Sequence, residues 1–71
     1  MKIKVFKEGS KWQFLIDDGH VIIKNKSGIS SKSKAVCQTI YFINQLDLPH
    51  LHRWKKSQED NQLTIWEHKE F

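Results

Sequence analysis

Residues 11–26, "KWQFLIDDGHVIIKNK", hold the pattern from which the fold is read. Trp12, Phe14 and Ile16 alternate with Lys11, Gln13 and Leu15, the period-two signature of a strand with one buried face. "DDG" at 17–19 follows, and Asp and Gly tolerate the left-handed backbone of a tight hairpin turn. Alternation then resumes with Val21 and Ile23 on the inner side. The stretch predicts two antiparallel strands, at 11–16 and 20–26.

Toward the N-terminus, "KIKVFK" sets Ile3 and Val5 opposite Lys2, Lys4 and Phe6, which predicts a strand at 2–7. "EGS" joins it to the hairpin, with Gly9 free to take positive φ. The result is a three-stranded antiparallel meander. Toward the C-terminus, Gly28 breaks the pattern, and Ser30, Ser31 and Ser33 can each cap a helix by accepting a bond from a free backbone N–H. A helix is predicted over 33–46. Val36, Ile40 and Ile43 recur at i, i+4 and i+7, and Cys37, Tyr41 and Leu46 widen the stripe, so Cys37 reads as a small buried residue without reactivity. This helix would cover the sheet face made by Ile3, Val5, Trp12, Phe14, Ile16, Val21 and Ile23, giving an α+β fold of β-β-β-α order.

Asp47 to Pro49 end the helix, because the residue before a proline is pushed out of the α region. A short second helix is predicted at 49–56, carrying Leu51 and Trp54, followed by a polar connection, "SQEDN". "QLTIWEH" alternates again and predicts a C-terminal strand at 62–68, able to join this chain's sheet or a partner's edge. The chain is thus one domain over 1–71, a β-β-β-α unit at 1–46 with an extension at 47–71.

At 71 residues the core is small, burying only about 60% of the unfolded surface, and association is expected to add stability. One cysteine excludes an internal disulfide. No run approaches the ~20 apolar residues of a membrane span, and "MKIKVFKEGS" lacks the apolar stretch of a secretion signal, so a cytoplasmic location is expected. The net charge of +4 is unevenly spread: residues 1–34 carry eight lysines against Glu8, Asp17 and Asp18. The basic half favours an anionic partner.

Catalytic and metal patterns are lacking in the sequence. There is no Gly-rich phosphate loop, nucleophile elbow or Cys–His spacing, and Asp17 and Asp18 read as turn formers. His50 and His52 lie two apart, which in a helix points them to different faces, and His20 and His68 stand alone. The expectation is a non-enzymatic protein without cofactor or metal.

Taken in order, "KWQFLI", "DDGHVI", "SGISSKSKA" and the apolar helix resemble the YegP-like family of small β-β-β-α proteins over roughly residues 3–46. The resemblance is carried by Trp12, Phe14, Asp18, Gly19, Val21, Ile22, Gly28, Ser31, Lys32 and Ala35, while Ile29 stands where that family commonly has an aromatic residue. Family members often hold two such repeats. With one repeat here, the resemblance implies a homodimer in place of the second, and it implies no activity. The outline is also similar to AP2-type and integrase arm-binding domains, whose sheet lies in the DNA major groove.

Two sets of candidate site residues follow. On the outer sheet face, Phe6, Leu15 and Ile22 are apolar, and with Trp54, Trp66 and Phe71 they are the candidate anchors for a protein partner or a second copy. Trp54, Leu63, Ile65 and Trp66 are equally able to fold over that face. Lys2, Lys4, Lys11, Lys24 and Lys26, joined by Ser31, Lys32, Ser33 and Lys34 at the helix start, are the candidate anion or nucleic-acid residues. Arg53 is the sole arginine, so bidentate reading of guanine is not expected. The favoured reading is a small regulatory or inhibitory module acting by protein–protein interaction as a dimer, with nucleic-acid binding as the alternative.

Overall fold

The computed structural model describes residues 1–69. The chain runs β1 (Lys2–Glu8), β2 (Lys11–Asp17), β3 (Ile22–Lys24), α1 (Lys32–Gln45), a 3-10 turn (Leu51–Arg53), β4 (Lys55–Glu59) and β5 (Leu63–Glu67). All five strands form one antiparallel sheet in the order β3-β2-β1-β5-β4, with α1 on one face. The α+β class and the β1–β2–β3–α1 order agree with the sequence. No helix among the described residues is long and apolar enough to cross a membrane.

The extension is where the architecture departs from expectation. Instead of a helix at 49–56 there is one 3-10 turn, and Lys55–Glu59 is a strand. "KKSQE" has no apolar residue to show a period, and all five side chains are exposed; the strand exists because β5 offers it a ladder to pair with. β5 in turn fills the free edge of β1, setting Trp66 beside Ile3 and Thr64 beside Val5. The expected three-stranded meander is present, the C-terminal strand joins its own chain's sheet, and β4 is a fifth strand that the sequence did not predict.

One face of the sheet carries the core. Ile3, Val5, Phe14, Ile16, Trp54 and Trp66 are buried there with Ile29, Ala35 and Ile43, and each large apolar side chain removed from water stabilises by roughly 1.5–3 kcal/mol. Trp12 and Ile23 lie half-buried at the margin of this face, whereas Val21, expected on it, sits in the turn before β3 and is 52% exposed.

The helix is rolled relative to the predicted stripe. Ala35, Thr39 and Ile43 are buried and Phe42 packs on Phe14 at 5.6 Å between ring centroids, while Ile40, Tyr41 and Cys37 face outward. Two small residues let the helix approach the sheet closely, and Thr39 satisfies its buried hydroxyl by donating to Ala35 O at 2.8 Å. Cys37 is thus exposed, contrary to the expected burial. The helix begins at Ser31, whose hydroxyl accepts from Lys34 N. At its end Asp47 takes φ 59°, Asp47 N–H returns to Asn44 O and Leu48 N–H to Ile43 O, a Schellman closure followed directly by Pro49.

β3 is three residues long, shorter than the predicted 20–26, because side chains replace the ladder on both sides of it. Asn25 Oδ1 accepts from Phe14 N at 2.9 Å, in the place of a strand carbonyl. At the other end Asp18 Oδ1 accepts from His20 N and Val21 N, holding those residues in the turn.

Candidate functional site

The strand register assembles a sheet face that no other element covers among the described residues. Lys4 lies between Leu15 and Ile65, Phe6 between Gln13 and Leu63, and Lys2 between Asp17 and Glu67. Ile22, 59% exposed, extends the row of Asp17, and Lys24 extends that of Leu15. Phe6, Leu15, Leu63 and Ile65 are half-buried by their neighbours within the sheet. Helix, 3-10 turn and both described anchor tryptophans lie on the opposite side.

That arrangement separates the candidate protein-binding residues. Phe6, Leu15 and Ile22 share the open face, as the alternation predicted. Trp54 and Trp66 are 5% and 7% exposed within the core, and Trp54 Nε1 donates to Pro49 O at 2.9 Å, so the chain's own fold consumes both. Phe71 lies outside the described residues. Leu63 and Ile65, which the sequence left free to fold over the face, are instead part of it.

The lysines divide three ways. Lys2 and Lys4 stand on the open face, where Lys2 Nζ is 3.8 Å from a Glu67 carboxylate oxygen, an exposed pair of little energetic weight. Lys32 turns toward β4, its Nζ 4.0 Å from Glu59. Lys56, bonded at 3.0 Å, and then Lys32 hold the Glu59 carboxyl below its ordinary range. Lys11, Lys24, Lys26 and Lys34 converge instead on a groove of about 570 Å³ between the loop after β3 and the first half of α1.

This groove is built by the loop that the sequence marked only as a break. Trp12 N donates to Ile29 O at 2.7 Å and Ile29 N to Trp12 O at 2.9 Å, so the loop runs as a partner of β2. The Asn25 amide donates to Gln13 Oε1 and to Ser27 O, which ties the loop's start to the sheet. Gly28 passes directly over Lys11, with room for no side chain. Ile23, Ile29 and Phe42 supply an apolar lining, and no acidic residue lines the groove. At the helix start the Ser31 hydroxyl oxygen accepts from Lys34 N at 3.3 Å and Ser33 is exposed.

The histidines remain apart from both surfaces. His50 and His52 stack on each other with centroids 5.7 Å apart, His68 packs against Trp54, and His20 is exposed in the turn. No protein-family model, curated protein or solved structure matches the chain.

Proposed function

We propose that this protein is a non-catalytic binding module of regulatory type that associates with a second copy of itself through the open sheet face. The observation that carries this reading is the row Leu15–Lys4–Ile65 beside Phe6–Leu63: four apolar side chains grouped around Lys4 on a sheet face left without a second layer among the described residues. Sheets bury one face against another layer, and a small core gains from covering the other.

Two features favour a face-to-face partner over an edge-to-edge one. The β4 edge is blunted by Lys55, Lys56 and Glu59 and by an irregularity between Lys56 and Gln58, and the β3 edge is only three residues long. The charges bordering the apolar centre come in both signs, Asp17 and Glu67 beside Lys2 and Lys55. Such a border can pair with its own copy after a twofold rotation, as an isologous interface requires. The YegP-like resemblance points the same way, a second copy standing in for a second repeat.

Light scattering tests this directly. The protein is expected at twice its 8.5 kDa chain mass at micromolar concentration, and Leu15→Glu is expected at the single-chain mass with an unchanged far-ultraviolet circular dichroism spectrum. A wild-type protein that remains at the single-chain mass at hundreds of micromolar overturns the reading.

A further inference from the structure

We propose that the Lys11, Lys24, Lys26 and Lys34 groove binds single-stranded nucleic acid, with phosphates on the ammonium groups and bases against the half-buried side chains of Ile23 and Phe42. The groove meets the open sheet face at Lys24, which extends the row of Leu15, while Lys26 in the loop after β3 and Lys34 on α1 lie off that row, so their variants test the groove apart from the dimer.

Charge is the first argument. Four of the eleven lysines meet in one groove without an acidic residue in its lining, although the chain carries eight acids. Lys11 has Glu8 as its cross-strand neighbour outside the lining, and Lys32 and Lys56 each lie within 4.0 Å of Glu59 away from the groove. Lys34 stands in the first turn of α1, where the helix dipole disfavours a cation, and no acid offsets it in that turn. A strand of phosphates would neutralise this concentration of charge and release its own counterions on binding.

Rigidity is the second. The groove wall is pinned by the Trp12–Ile29 bridge and by the three bonds of Asn25, and the stem of Lys11 is held beneath Gly28. A loop already fixed need not be ordered when a ligand arrives, which leaves only the lysine side chains to lose freedom. Small-molecule sites are enclosed and mostly apolar, whereas this groove is partly open and bordered by four lysines, which suits a charged chain.

The lining selects the kind of nucleic acid. Phe42 packs tilted against Phe14 and edge-on to Tyr41 and, half-buried beside Ile23, leaves an apolar strip between the lysines. Unpaired bases can lie on such a surface, but the bases of a duplex are stacked inside it and cannot. With lysines and no arginine in the groove, binding is electrostatic and tolerant of sequence.

The test is fluorescence anisotropy with a fluorescein-labelled oligothymidylate of about 12 nucleotides, a duplex of the same length, and polyglutamate of matched charge as competitor. The oligothymidylate is expected to bind at about 50 mM salt and to weaken roughly 100-fold by about 300 mM, from four lysine contacts at a slope of about −0.7 each. Lys26→Glu with Lys34→Glu is expected to weaken binding at least about tenfold and to halve the slope. Lys26→Gln with Lys34→Gln, which asks less of the fold, is expected to halve the slope as well, and Lys2→Glu on the opposite face to leave it unchanged. No binding at low salt, equal affinity for the duplex, equal competition by polyglutamate, or indifference to both double variants overturns the proposal.

Discussion

Gly28 lies where the loop after β3 crosses β2, and a Cβ built on it would stand 2.7 Å from both Cβ and Cγ of Lys11. The Lys11 Cβ is fixed to the strand backbone, so the contact cannot be relieved by a side-chain rotation. Gly28→Ala is therefore expected to destabilise by about 1–3 kcal/mol, the range of an overpacked site, measured as a lower urea midpoint at unchanged slope. An unchanged midpoint would show that the loop lifts freely from β2. In the sequence Gly28 reads only as an interruption of alternation; the close approach that demands it comes from the Trp12–Ile29 bridge, a pairing across seventeen residues. The tryptophans carry the same lesson. Their bulk made Trp54 and Trp66 candidate anchors, but composition does not say which large apolar residues a core will have room to take in. Here β5 turns Trp66 inward beside Ile3, and the 3-10 turn lays Trp54 into the same cluster.

At the scale of elements, the two hairpins β2–β3 and β4–β5 turn by one device. Asp18 Oδ1 accepts from the N–H groups of His20 and Val21, and Asp60 Oδ1 from those of Gln62 and Leu63, two and three residues on in each case. These bonds favour the charged form. The N–H of Val21 followed by that of His20 lowers the Asp18 carboxyl below its ordinary 3.8, and the N–H of Gln62, the Gln58 amide and the N–H of Leu63 lower Asp60 likewise. For a group whose pKa is lower folded than unfolded, the stabilisation is complete above the unfolded value and is lost as pH falls through the folded one. Acid unfolding is thus expected to sharpen below about pH 4, and Asp18→Asn with Asp60→Asn, which keeps the acceptors but removes the charges, to flatten it. Circular dichroism melts between about pH 2 and 6 check this, and an undiminished acid slope in the double variant would assign it to other carboxylates. "DDG" was legible as a turn because Asp and Gly are suited to it one by one. The β4 strand was not, since a ladder edge needs no apolar period.

For the molecule as a whole, a dimer has a thermodynamic signature beyond mass. Association stabilises the folded state by mass action, so the melting temperature is expected to rise with protein concentration. Leu15→Glu is expected to remove that dependence while leaving the fold intact, because Leu15 faces away from the core. A wild-type melting temperature constant over a hundredfold range of concentration would argue against the interface. A nucleic-acid ligand in the lysine groove would raise the melting temperature separately, with the logarithm of its own concentration above Kd and only at low salt.

Sequence by itself determined what depends on neighbours along the chain. The alternation of β1, β2 and β5, the Asp-Gly turn, the Ser31 cap and the helix stop before Pro49 are local preferences of backbone and side chain, and each is in place in the fold. It also placed Phe6, Leu15 and Ile22 on one outer face, since a strand's faces follow from its period alone. Tertiary structure decided what depends on residues far apart. It inserted β5 between β1 and β4, rolled α1 onto Ala35 and Thr39, and sorted the lysines between the open face, the Glu59 pair and one groove. Register, helix roll and the direction of a long charged side chain are set by the competition of all surfaces for the same small core, and no local pattern encodes that outcome.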